Sequence, residues 1–357
     1  MDEIPITGYA DCFSLRPGEK INFKVSSTSI DPYKAKLIRV ISGDPNPEGP
    51  GIIEEDIKSN FSGSYPSRRQ TVNSGSYIKV PSNKSLNPAK GFTVGATIWP
   101  TKIDINEQCI ISQFNSDHDA GMALFIGPEG VSVVVADGGG KITKLSIDKP
   151  LSERRWYHIW ASFDLESEKL GIYQTSVIDS FDIDGPIQKE IKCSIQPIPS
   201  PEQPLIIGAA GNKKIANCFN GKIEGPEICA DMQCIGFWDF SKNISSLTVP
   251  GVDCPDLILM NAPTRAVTGA SWDASEMNWQ HKPEHYAAIA FHEDDIYDFN
   301  WESDFSFVIP PEMPSGIYIM RISCEDDYDA IPFFVCPPIK KSFHLLNLIH
   351  KLQPNYN

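Results

Sequence analysis

The feature that most constrains the fold is a dense series of short, strand-like segments between residues 72 and 245, separated by glycine and proline. Each segment is short and bounded by turn-forming residues, a pattern typical of β-strands. Ten segments show this character: 76–80, 92–99, 109–114, 121–126, 131–136, 144–147, 156–164, 169–174, 205–208 and 219–223. So many short strands without an intervening helix predict an all-β, double-sheet jelly roll over residues 72–245.

Strand-like segments also flank this region on both sides. Alternating segments lie within residues 9–41, and three more follow residue 304. Neither group supplies the roughly seven strands that an immunoglobulin-like sandwich needs. We therefore predict one small immunoglobulin-like β-sandwich built from residues 5–45 and 305–337, with the jelly roll inserted between its two halves.

Residues 246–304 are rich in Trp, His and acidic residues, and we predict an irregular junction segment there. Within it, His281, His285, His292 and Asp294 are weak candidates for metal ligands, because imidazole and carboxylate groups are common donors. The i, i+4 spacing of the first two suits one helix face, but the proline between them resists a regular helix. The competing interpretations are a hydrogen-bonded polar cluster at the junction and contacts with a further domain.

Each of the other candidate binding sites also has a purely structural interpretation. Asp117 and Asp119 follow a strand and could hold calcium, as oxygen-rich loops do, or simply form a solvated loop. Five tryptophans could stack on a sugar: Trp156, Trp160, Trp238, Trp272 and Trp279. The even spacing of the first two places them on one strand face, and we predict core packing for the set. No Ser-His-Asp or Cys-His arrangement can be placed from spacing, so we predict no catalytic residue.

The charge balance excludes some partners. The chain has 46 acidic and 31 basic residues and a formal net charge of −15, which repels nucleic acid and anionic membranes. No apolar run approaches the ~18 residues of a transmembrane helix. The acidic start, Met1–Pro5, is unlike a secretory leader, so we expect a cytoplasmic protein. Its nine cysteines, of which Cys229 and Cys234 are the closest pair, are then expected to be free thiols.

Two sets of motifs resemble known families. The first consists of Phe92–Pro100, Arg155–Asp164 and Phe219–Ile223 and resembles the laminin-G-like, concanavalin A-like lectin fold. The second resembles the N-terminal half of the large (beta) subunit of the N,N-dimethylformamidase family, over nearly all of residues 8–338. Its motifs are Ser42–Pro47, Tyr65–Gln70, Phe237–Ser241, Asn261–Gly269, Pro283–Ile289, Phe291–Asp298 and Pro332–Pro338.

The second resemblance implies a hydrolase of small tertiary amides that uses protein-bound iron. In that family the iron ligands lie in a separate α/β domain, which begins just after the strand matching Pro332–Pro338. None of those residues has a counterpart here, so we expect no cofactor in this chain and no activity from it alone. Residues 338–357 are expected to be a truncated tail, either docked as a short helix or left as an exposed apolar remnant.

Three functional hypotheses follow from these observations. The first is a non-catalytic part of a dimethylformamidase-like amidohydrolase, whose partner is a catalytic domain or a second subunit. The second is a stand-alone lectin-like module that binds carbohydrate or protein, and the third is a decaying reading frame. The motifs outside the lectin-like region favour the first. An uncovered interface would also favour a homo-oligomer.

Overall fold

The computed structural model describes residues 4–86, 91–104, 107–115, 119–177, 185–195, 203–211, 215–230 and 233–338. Strands dominate these residues, and the helical part of them is limited to the 3₁₀ turns Lys84–Leu86 and Pro283–Tyr286. The predicted all-β class is confirmed. The chain divides into two compact units, one made of Met1–Val72 with Asn300–Asn357 and the other of Asn73–Phe299.

Six strands begin the first unit: β1 (Ile6–Ala10), β2 (Ser14–Leu15), β3 (Lys20–Ser27), β4 (Tyr33–Gly43), β5 (Ile52–Ile57) and β6 (Gly63–Tyr65). Alternation in the sequence explains β3, in which Ile21, Phe23 and Val25 are buried while the residues between them are partly exposed. The same alternation continues in the first half of β4.

Sixteen strands form the second unit within the described residues. They are β7 (Tyr77–Val80), β8 (Gly91–Pro100), β9 (Gln108–Asn115), β10 (Ala120–Gly127), β11 (Gly130–Asp137), β12 (Ile142–Ser146), β13 (Tyr157–Asp164), β14 (Lys169–Ser176), β15 (Ile187–Lys192), β16 (Leu205–Ile207), β17 (Gly221–Ala230), β18 (Gln233–Phe237), β19 (Thr248–Val249), β20 (Leu257–Met260), β21 (Thr264–Val267) and β22 (Ala288–Phe291). Together they build a jelly roll.

The jelly roll consists of two eight-stranded sheets. Sheet I has the order β12-β11-β10-β9-β16-β7-β20-β19, and sheet II has the order β15-β14-β13-β8-β17-β22-β21 with β18 paired to β17. Ile98, Ile159 and Ile223 of sheet II pack with Ile111 and Val133 of sheet I in one buried cluster. This cluster contributes the main stabilising burial of the unit.

The segment 246–304 differs from the irregular junction predicted for it. It supplies β19 and β20 to sheet I and β21 and β22 to sheet II, with β20 paired to β7 and β22 paired to β17. These strands have two to four residues each, too few to show a period in the sequence. One edge of each sheet of the jelly roll is therefore formed by residues that follow the predicted range 72–245.

The C-terminal strands return to the first unit. They are β23 (Phe305–Val308), β24 (Gly316–Cys324) and β25 (Asp327–Val335). Strand β23 completes a three-stranded sheet, β1-β3-β23, and the second sheet has the order β2-β25-β24-β4-β5 with β6 on β4. Phe23, Leu37, Tyr318 and Phe333 share one buried cluster, so the two segments build a common core.

Predictions for the tail beyond Pro338 lie outside the described residues. In the part of the chain that is described, no helix is long and apolar enough to span a bilayer.

Candidate functional site

The weak metal candidates do not converge on one point. Each histidine lies beside its own carboxylate: His281 Nδ1 is 3.2 Å from Glu276 Oε2, His285 Nδ1 is 3.4 Å from Asp273 Oδ1, and His292 Nδ1 is 3.2 Å from Asp295 Oδ2. Asp294 is exposed. Hydrogen bonds from Ser275 lower the pKa of Asp273 to about 2, so this carboxylate is charged at neutral pH.

The iron implied by the family resemblance does not fit these residues. Among the residues that the structure describes, no group of three or more His, Cys, Asp and Glu side chains is arranged to hold a metal ion. No chemical step is therefore assigned to iron in this part of the chain. The proposed calcium loop at Asp117 includes residues 116–118, which lie outside the described ranges.

The segment that carries the histidines is anchored to the outer face of sheet II. Lys222 Nζ donates to Thr268 Oγ1 at 2.8 Å and to its carbonyl oxygen at 3.1 Å. The backbone N–H of Ala270 donates to Glu224 Oε2 at 2.6 Å. Burial raises the pKa of Glu224 and lowers the pKa of Lys222, because both charges have lost water. These contacts fix the segment beside β17.

The outer face of sheet II also carries aromatic side chains. Trp156 and Trp160 share a strand face, as predicted, but that face points away from the core, which Ile159 and Phe163 enter instead. Core packing is therefore wrong for these two tryptophans, because even spacing cannot tell which face of a strand is buried. It is right for Trp238, which is fully buried.

Trp156 forms an aromatic pair with Trp99, and Lys222 lies over both rings. The ring centroids of Trp99 and Trp156 lie 6.5 Å apart, and Lys222 Nζ lies 4.7 Å from the Trp99 centroid. A cation at this distance is attracted to the ring face. The lysine thus links the Trp99–Trp156 pair to the anchored segment at Thr268.

A groove of about 620 Å³ crosses the same face of sheet II. The strand register places small side chains along its floor, because Gly171 lies opposite Ser162, Ser162 lies opposite Thr93, and Thr93 lies opposite Cys229. Charged side chains also line the groove: Asp164, Glu166, Lys169 and Glu190. We take this groove as the candidate binding site of the jelly roll, since concave sites with convergent polar groups are typical of ligand binding.

Two aromatic side chains lie beside the groove floor, two residues along β13 and β14 from Ser162 and Gly171. Tyr173 lies opposite Trp160, which in turn lies opposite Gly95. A β-carbon added at Gly95 would come within 2.3 Å of the Trp160 ring, so glycine is needed for the ring to lie against the sheet. Such a surface offers hydrogen bonding and stacking side by side, which suits a polar ligand with apolar faces.

Sequence reasoning missed this groove because its floor has no motif. The floor residues are dispersed from Thr93 to Cys229, and only the cross-strand register brings them into one line. The usable signal was the pair of glycines inside strands, Gly95 and Gly171, since a glycine in a strand interior often marks a close approach of another group.

Comparison with known proteins identifies relatives that match nearly the whole chain. It is 35% identical over 379 residues to the N,N-dimethylformamidase beta subunit of an Alcaligenes species, covering 95% of this chain and 50% of that protein. It is 33% identical over 384 residues to the corresponding subunit of Paracoccus aminophilus, covering 96% and 50%. The predicted resemblance is confirmed, and the chain spans about half the length of these curated relatives.

Two family models each match a part of the chain. Residues 264–350 match the family described as N,N-dimethylformamidase beta subunit-like, C-terminal, and residues 72–229 match the concanavalin A-like lectin/glucanases superfamily. Among solved structures, the CBM40 of Ruminococcus gnavus IT-sialidase bound to alpha2,3 sialyllactose is similar at 14% identity and a TM-score of 0.35. The match covers 46% of this chain and 94% of the CBM40 chain, and a similarity this low carries no argument about function.

Proposed function

We propose that this chain, a relative of the N,N-dimethylformamidase beta subunits, is a non-catalytic supporting part of an enzyme that hydrolyses the C–N bond of small amides. One observation carries the proposal: nearly the whole chain matches these subunits, yet its described residues hold no group of three or more His, Cys, Asp and Glu side chains arranged to bind a metal ion. The catalytic chemistry, including the iron, would then come from a domain or subunit that this chain supports.

The separation of the histidines supports this assignment. A hydrolytic metal centre needs ligands that converge on one ion and leave a position open for water or substrate. His281, His285 and His292 instead each lie beside a separate carboxylate. This arrangement suits a structural role, in which local side-chain contacts hold the segment around the histidines.

An apolar patch on the first unit supports a protein partner. Ile317 and Phe334 lie opposite each other on β24 and β25, and each side chain is 44% exposed. Paired apolar side chains on an outer sheet face favour coverage by another protein surface. We propose that the covering partner is the catalytic domain or second subunit. A second copy of this chain would give a homo-oligomer through the same patch.

The purified chain alone should release no dimethylamine from N,N-dimethylformamide above a heat-denatured sample. The expected result follows from the absence of a converging ligand group among the described residues. The assay is dimethylamine detection after incubation with and without added ferrous iron, with the Paracoccus aminophilus enzyme as positive control. Dimethylamine release that is lost on denaturation would overturn the non-catalytic assignment.

The lectin-like alternative rests on the groove of sheet II. Its polar lining beside Trp160 and Tyr173 would suit a carbohydrate, since sugars stack on aromatic rings while their hydroxyls hydrogen-bond. A glycan array decides between the two functions. Binding that is abolished by Thr93→Trp, which fills the groove floor, would favour the lectin-like module. An array without binding would favour the supporting role.

A further inference from the structure

Two cysteines face each other at the end of the β17–β18 hairpin. Cys229 lies directly opposite Cys234 in the antiparallel register, next to the pair formed by Ala230 and Gln233. The two thiols are within hydrogen-bonding reach of each other. Each cysteine is a free thiol in this structure, as are the other seven.

The backbone geometry at this pair suits a disulfide. Residues directly opposite each other in an antiparallel ladder have Cα atoms about 4.5–5.5 Å apart. Disulfides span Cα separations of about 4.4–6.8 Å. A bond between Cys229 and Cys234 therefore requires side-chain rotation and little backbone movement. The pairing of β17 with β18 shifts register between Ile228 and Cys229, so the ladder is irregular beside this pair.

The two thiols differ in accessibility, and this difference sets an order of reaction. Cys234 is exposed, whereas Cys229 is only partly exposed and lines the groove of sheet II. Burial raises the pKa of the Cys229 thiol to about 11, and the neighbouring Cys234 adds to the rise. Since the thiolate is the reactive form, an external reagent should reach and modify Cys234 first.

We propose that Cys229 and Cys234 form a redox-active dithiol site, which low-molecular-weight disulfides convert to an intramolecular disulfide at the end of the groove. The Cys234 thiolate attacks one sulfur of a disulfide such as oxidised glutathione. That S–S bond breaks, one glutathione thiolate leaves, and a mixed disulfide remains on Cys234.

The second step uses the neighbouring thiol. Deprotonated Cys229 attacks the Cys234 sulfur, the mixed disulfide breaks, and the second glutathione leaves as a thiolate that takes up a proton. The two cysteines together lose two electrons and two protons, and the glutathione disulfide gains them. A dithiol reductant reverses the reaction. Because Cys229 lines the groove, the change of oxidation state occurs at the candidate binding site.

The test is incubation of the full chain with oxidised glutathione, followed by intact mass measurement and peptide mapping. The thiol count of the unfolded chain should fall by two from nine, with the mass lowered by two hydrogens and a Cys229–Cys234 crosslink in the map. Dithiothreitol should restore all nine thiols.

Single variants test the order of attack. Cys229→Ser should stop at a stable glutathione adduct on Cys234, and Cys234→Ser should lose both adduct and crosslink at this hairpin. Cys12→Ser is the matched control, because burial also raises the pKa of the Cys12 thiol to about 11 but its side-chain neighbour is Asp11. That variant should keep the crosslink unchanged.

Two results would overturn the proposal. One is a wild-type chain that accumulates the Cys234 adduct without closing the bond. The other is a crosslink from Cys234 to Cys254, whose sulfur here donates to the carbonyl of Phe237 at 3.8 Å. Circular dichroism of each variant before oxidation confirms that the fold is retained, so a lost crosslink is not a consequence of unfolding.

Discussion

Replacing Trp238 with alanine should lower the free energy of unfolding of the jelly roll by about 3–5 kcal/mol. The indole is fully buried in the cluster between sheets I and II, and its Nε1 donates to the Pro255 carbonyl at 2.9 Å. Truncation leaves a large cavity and an unpaired carbonyl, and both effects lower the free energy of unfolding. The change in the free energy of unfolding is measured by urea unfolding, followed by the circular dichroism of the backbone and not by tryptophan fluorescence.

Trp272→Ala is the matched control for this prediction. Trp272 lies in the same unit but is 36% exposed, and its Nε1 donates to the Glu276 carbonyl at a longer 3.3 Å. Its replacement should cost about 1 kcal/mol or less. Equal effects of the two substitutions would show that Trp238 is not a central packing residue.

Replacing Phe23 with alanine should destabilise the first unit by about 3–5 kcal/mol. Phe23 is fully buried on the central strand of its sheet, with ring centroids 5.3 Å from Phe305 and 5.8 Å from Phe333. Because both partners come from the C-terminal segment, we expect the N-terminal and C-terminal segments to lose stability together. Hydrogen exchange measured by mass spectrometry resolves the two segments separately.

The second part of this prediction is which peptides lose protection from hydrogen exchange. Protection should fall in peptides from β3 and from β23 to β25 by a similar factor, while peptides from β7 to β22 keep theirs. Phe13→Ala is the control, since Phe13 belongs to the same unit but is 73% exposed. Loss of protection confined to the N-terminal strands would contradict a core shared by the two segments.

Local alternation made part of this fold predictable from sequence. The pattern Ile21, Phe23, Val25 identifies both a strand and the face of it that enters the core, because polar residues occupy the other face. At Trp156 and Trp160 the same reasoning identifies a shared face but not its direction. Their face is amphipathic, and only the position of the second sheet decides which side is buried.

The candidate site was less predictable than the fold because it depends on register. Thr93, Ser162 and Gly171 are unremarkable in the sequence, and they form a groove floor only where β8, β13 and β14 align. The histidines were open to several interpretations in the sequence, a metal site and a polar cluster among them, because spacing along such a segment does not fix side-chain direction. The structure places His281 beside Glu276 and His292 beside Asp295.

The most direct test of the supporting role is dimethylamine release by a chimeric enzyme. In it, this chain replaces the matching half of the Paracoccus aminophilus beta subunit, and the remaining half of that subunit is kept. The supporting role predicts that the remaining half is inactive alone and that the folded chimera, assembled with any further subunits, hydrolyses N,N-dimethylformamide. Equal activity of the remaining half with and without this chain, or a folded and assembled chimera without activity, would contradict it.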